Sequence, residues 1–139
     1  MNNTAVPNSL RTWFVIHFIV DIALAIPLML APVFTLKLFG WDTVDPVTTR
    51  LVAAALFGIG IESYLGRNAG IEAYLGMLNL KIIWSLAAIT GLCLSLFQGA
   101  AGAALVIWVL VLVFAGFNLL WVYWRRQLGK QLVGGPANY

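Results

Sequence analysis

His17 and Asp21 stand four positions apart in FVIHFIVDIAL, a run from residue 14 to residue 24 whose other members are all apolar. On a helix that spacing puts an imidazole and a carboxylate on one face. Together they can hold a proton, pass it on, or bind a small polar ligand. Three more apolar stretches carry isolated polar side chains: Glu62 and Ser63 in GIGIESYL, Lys81 and Ser85 in KIIWS, and Asn118 in GFNLLW. Lys81 and Ser85 are again four apart and share a face. At the centre of a bilayer a charged side chain costs about 2.5 to 3.5 kcal/mol on insertion scales, so such groups face a protein interior and find partners. Lys81 pairing with Glu62 or Asp21 is the expected arrangement. With His17 neutral, the set Asp21, Glu62 and Lys81 sums to −1, and a protonated His17 brings it to zero. His17 is therefore a candidate pH-sensitive element. The competing reading of the same residues is structural, buried ion pairs that set helix register and nothing more.

Other chemistries lack their parts. One histidine supplies too few ligands for the usual metal or haem sites, and the single cysteine, Cys93, allows no internal disulfide. His17 and Asp21 with Ser63 or Ser85 have the residue types of a hydrolase, but no nucleophile-elbow pattern surrounds either serine. GIGIES lacks the third glycine and the preceding strand of a dinucleotide loop. No cofactor and no metal are expected. The net charge of +3 does not make a nucleic-acid surface, because three of the eight basic residues lie together in RRQLGK, where a topology signal explains them.

The elements that must position these side chains follow from composition. Of 139 residues, 62% are hydrophobic and 9% charged, and the mean hydropathy is +0.94. Soluble domains average roughly a quarter charged residues, and a chain this short has too little interior to hide so much apolar surface. An all-α integral membrane bundle in one domain follows. Four segments reach the length of about 20 apolar residues that a span needs: near 13–31, 47–65, 74–97 and 103–124, the third extending back to Ile71. The first is too long for a signal-peptide core and is expected to be retained. Asn8 and Ser9 are its capping candidates, Pro27 should bend its outer half, and Pro32 ends it. Asp45 with Pro46 reads as an N-cap and first helical position.

The connection PVFTLKLFGWDTV is amphipathic and expected along the interface. GRNAGIE reads as a polar turn, and QGAAG as a link tight enough to force a hairpin. The tail after Gly129 is expected to be mobile. With both termini inside, Arg11, Arg67, Arg125, Arg126 and Lys130 lie on the cytoplasmic side, against Lys37 and Arg50 outside, a bias that favours N-in, C-in. Trp13, Trp121, Tyr123 and Trp124 then form an inner aromatic belt, with Trp41 at the outer interface. This topology sets His17, Asp21, Glu62, Lys81 and Asn118 between about 5 and 12 Å from the inner edge, at a rise of about 1.5 Å per residue. Ala54, Gly58, Glu62 and Gly66 recur every four residues, a small-residue stripe expected to bring Glu62 into a helix contact.

An early apolar helix followed by DPVTTRLVAAALFGIGIESYL, in which Arg50 opens a helix rich in glycine and alanine, resembles the DoxX-like class of small four-helix bacterial membrane proteins. The resemblance implies a four-helix membrane fold and, for some members, a place as a small subunit of a quinone-linked oxidoreductase. Three functional readings result. The preferred one is small-molecule or proton-linked binding or transport in a multi-pass protein of the inner membrane. Its candidate site is His17, Asp21, Glu62, Lys81, Asn118, Ser63 and Ser85, and a homo-oligomer is expected to complete a path. The alternatives are an accessory or anchoring subunit of a larger membrane complex and an intramembrane enzyme. The expected partners are the lipid bilayer and a small-molecule ligand, with no nucleic acid.

Overall fold

The computed structural model describes residues 5–99 and 104–133, which form helices joined by short turns, with no strand among them. The helices are α1 (Asn8–Leu30), α2 (Pro32–Leu38), α3 (Pro46–Leu65), α4 (Ile71–Phe97) and α5 (Ala104–Val133). A single 3-10 turn, Gly66–Asn68, lies between α3 and α4. Three helices, α1, α4 and α5, are long and apolar enough to cross a membrane. α3 has the length, 20 residues, but carries Arg50 and Glu62.

Local signals explain most boundaries. Asp45 caps α3 by accepting a hydrogen bond from the Val47 backbone N–H at 2.9 Å and one from the Thr48 hydroxyl, and Pro46 opens the helix. These two donors hold the Asp45 carboxyl below its usual range. The start of α1 differs from expectation. Pro7 is the N-cap residue, no side chain caps the helix, and Asn8 is already helical. Proline pre-sets the extended backbone of that position, so the helix begins one turn before the apolar run does. At the other end α1 stops at Leu30, ahead of Pro32, with Pro27 inside it. Thr35 stitches α2 to that end, its hydroxyl donating to the carbonyls of Ala31 at 2.8 Å and Pro27 at 3.1 Å. Pro32 and Thr35 are buried while Phe34 and Leu38 are exposed, so α2 has two faces.

The helices pack as two antiparallel pairs, α1 with α3 and α4 with α5. In the first pair Arg50 Nε donates to the Met29 carbonyl at one end, and Arg11 reaches Asn68 at the other. The second pair is tied by Arg125 Nε donating to Asn79 Oδ1 at 2.8 Å. Residues 100–102 of the QGAAG link and residue 103 of the expected fourth span lie outside the described residues. α5 runs well past Trp124, to Val133, so the start of the expected mobile tail is helical; residues 134–139 lie outside the described part.

Large aromatic side chains join the pairs. Phe14 of α1 sits 4.6 Å from Tyr74 of α4 and 5.7 Å from Trp121 of α5, centroid to centroid. They belong to a core that includes Leu10, Ile71, Leu78 and Leu128. A smaller cluster, Ile107 and Val111 with Ile89, Leu92, Cys93, Leu96 and Trp41, fills the opposite end of α4 and α5. Trp121 is 1% exposed, a core residue and no part of an interfacial belt. It lies three positions from Asn118, on the inward face of α5.

The inward face of α3 also differs from expectation. Thr49, Ala53, Leu56, Gly60 and Ser63 are buried, in alternating steps of four and three. Two helices that stay in contact over several turns keep such a seam, because 3.5 residues per turn holds one stripe facing the partner. A strict step of four drifts off it. Ala54, Gly58 and Glu62 are accordingly exposed, and a Cβ added at Gly58 would meet nothing within 4 Å. The close approach is at Gly60, where an added Cβ would stand 2.8 Å from Cβ of Asp21.

Candidate functional site

Between the two apolar clusters lies a polar layer. On α1 the inward face carries His17 and Asp21 between Phe14 and Ala25; on α3 it carries Ser63. On α4 Lys81 and Ser85 follow Leu78, and on α5 Asn118 precedes Trp121 by one turn. Each polar residue occupies a position in its helix seam that an apolar residue would otherwise fill. That is why side chains distant in sequence meet.

The bonds run continuously through the layer. Lys81 Nζ donates to Ser63 Oγ at 2.6 Å and lies 3.2 Å from His17 Nδ1. His17 Nδ1 is also 2.8 Å from Asp21 Oδ2. Asp21 Oδ2 is fully enclosed, and apart from that ion-pair contact it makes no hydrogen bond of normal geometry. On the far side of Lys81, Ser85 Oγ donates to the Lys81 carbonyl at 2.7 Å. Asn118 Nδ2 in turn donates to Ser85 Oγ at 2.8 Å and to the Ile82 carbonyl at 3.1 Å. The remaining flank is aromatic. Lys81 Nζ lies 5.0 Å from the Phe14 ring centroid and 5.3 Å from that of Trp121, distances at which a ring face attracts a cation. His17 stands edge-on to Phe117 and Trp121 at 5.1 and 5.2 Å.

Six of the seven residues expected from the sequence, His17, Asp21, Ser63, Lys81, Ser85 and Asn118, thus join one network. Glu62 does not. It is exposed, and the direct Lys81–Glu62 or Lys81–Asp21 ion pair expected from the sequence is absent among the described residues. The reason is angular, since Ser63 takes the inward position on α3 and Glu62, one residue earlier, is rotated away by about 100°. Glu62 instead lines a small cleft between α3 and α4 with Ile59, Ser63, Met77, Leu80 and Lys81. Glu62 and Lys81 both border this cleft, whose lining is almost wholly apolar. Gly66 leaves room there for Met77, since an added Cβ would meet its Sδ at 2.7 Å.

No family model, curated protein or solved structure matches this chain. The geometry of the layer therefore carries the functional reading by itself. Among the described residues no group of three His, Cys, Asp or Glu side chains is placed to hold a metal ion. Sequence reasoning overlooked Phe14, Phe117 and Trp121 as walls of the site and Gly60 as the residue that seats Asp21. The seam spacing of four and three, read along each helix, was the signal that would have identified them.

Proposed function

We propose that the chain is a multi-pass inner-membrane protein of four spans, N-in and C-in. On this reading its buried polar layer serves proton-linked binding or transport of a small solute. The observation that carries the reading is the partnering of Lys81. A lysine kept only to lock helices together is best served by a carboxylate in direct contact, because removing two charges from water is repaid only by close pairing. Lys81 has none. It is held by a neutral hydroxyl and by an imidazole whose same nitrogen touches Asp21, and it also lines the cleft that Glu62 borders. Lys81, His17 and Asp21, which can each give up or take a proton, are thus linked inside the layer, and the exposed Glu62 borders a cleft beside it. α3 supplies the fourth span: at about 1.5 Å per residue its length matches a hydrocarbon core of about 30 Å, and Arg50 and Glu62 lie near its ends, where polar heads reach the interface.

Proteoliposomes loaded with a pH-sensitive dye test the reading. Under an imposed potassium diffusion potential, wild-type vesicles should take up protons faster than protein-free vesicles. Asp21→Asn and Lys81→Met should bring the rate down to the protein-free value, and Glu62→Gln should slow it without abolishing it. Wild-type vesicles that behave like protein-free ones, or variants indistinguishable from wild type, would leave the layer as structural glue.

A further inference from the structure

We propose that Nδ1 of His17 is a pivot through which one proton passes between Lys81 and Asp21, an inference that rests on the proton-linked reading above and gives it a chemical step. One ring nitrogen faces two partners, Lys81 Nζ at 3.2 Å and Asp21 Oδ2 at 2.8 Å. It can serve only one of them at a time. With the ring proton on Nε2, the Nδ1 lone pair accepts from the Lys81 ammonium and Asp21 Oδ2 has no donor. In the observed geometry Oδ2 is enclosed and has no hydrogen-bond donor, as that state requires. With the proton on Nδ1 the ring donates to the carboxylate, and Lys81 loses its acceptor there.

The transfer balances. An N–H bond of the Lys81 ammonium breaks as Nδ1–H forms, and Nδ1–H then breaks as O–H forms on Asp21. Lys81 ends as a neutral amine, Asp21 as a neutral carboxylic acid, and His17 as it began. The enclosed charges, one positive and one negative, cancel before the step and are both gone after it, so the layer's net charge is unchanged. This matters where water is excluded, because an uncompensated charge there is costly. Among the described residues the ring has no competing polar partner. From α1 the ring meets Asp21, from α4 Lys81, and from α5 only Phe117 and Trp121; from α3, Ser63 reaches Lys81, while Glu62 is exposed at the cleft. The two edge-on aromatic contacts hold the imidazole with Nδ1 on Lys81, and donation to Asp21 Oδ2, 2.8 Å away but outside hydrogen-bond geometry, requires the ring to turn slightly. Ser63 accepts from Lys81 and leaves the other amine hydrogens to face His17 and the rings.

His17 is the only histidine in the chain, so protein labelled with 15N-histidine reports on this ring alone. The full chain in lipid nanodiscs is compared with Asp21→Asn and Lys81→Met by 15N NMR. Asparagine cannot take the proton, so in Asp21→Asn the Nδ1 resonance should move toward the unprotonated position. Methionine supplies no proton donor, so in Lys81→Met it should move toward the protonated position, with wild type between. Displacements in opposite directions support the pivot. Displacement in one direction only, or none, overturns it. Should Lys81→Met fail to give a monodisperse protein, Lys81→Gln takes its place. The failure modes separate: a wild-type ring fixed in one tautomer in vesicles that still take up protons removes the pivot and keeps the proton-linked reading. Opposite displacements without uptake keep the pivot and remove transport.

Discussion

At the scale of single residues the site depends on a glycine that has no chemistry of its own. Gly60 leaves room for Asp21 against α3, since a methyl there would stand 2.8 Å from Asp21 Cβ and 3.3 Å from Oδ2. Gly58, two positions earlier, faces open space. The two alanine substitutions should therefore differ in sign. Gly60→Ala forces Asp21 or the helix to shift and should cost about 1 to 3 kcal/mol, the usual range for overpacking. Gly58→Ala removes backbone freedom from a helix interior without a clash and should gain about 0.5 to 1 kcal/mol. Unfolding of the detergent-solubilised protein, followed by the fluorescence of its tryptophans, measures both. Equal effects would mean that α3 presents a different face to α1. Residue types were readable in the sequence and their pairing was not. His17 and Asp21 are neighbours by helical spacing alone, whereas Lys81 joining Ser63 in place of Glu62 depends on a rotation of about 100° about α3.

At the scale of elements, the helices themselves were plain in the sequence. Long apolar runs broken by Pro32, by Asp45 with Pro46, and by the glycines at 66, 70 and 99 leave little freedom for where helices stop. The ends that escaped were those lacking a polar or apolar boundary. α1 begins with Asn8, before hydrophobicity rises, and α5 continues to Val133 after it falls, because helix propensity does not require an apolar residue. Whether α3 crosses the membrane decides the topology. In a Cys93→Ser background, cysteine placed at Asp42, between α2 and α3, should react with a membrane-impermeant maleimide added to intact cells. Cysteine placed at Asn68, after α3, should react only once the cells are opened. Equal reactivity of both from one side would remove α3 as a span.

At the scale of the molecule, the arrangement is a polar layer held between two apolar ones. The large aromatic core lies at one end of the α4–α5 pair and the Ile107–Val111 cluster at the other. The topology expected from the sequence puts polar residues of four helices at one depth; it does not show that they meet, because depth along a helix says nothing of the angle around it. The seams supply that angle. The layer is also where stability and the proposed function conflict, since six apolar side chains in its place would avoid the desolvation of charged groups.

A double-mutant cycle on Asp21→Asn and Lys81→Met, read as unfolding free energy in detergent, measures the coupling across the layer. Each single change leaves one enclosed charge without its counterpart and should cost about 3 to 5 kcal/mol. The double variant should lose distinctly less than the sum, because both charges are then gone. Additive losses would mean that Asp21 and Lys81 do not sense each other through His17, and that no common site exists.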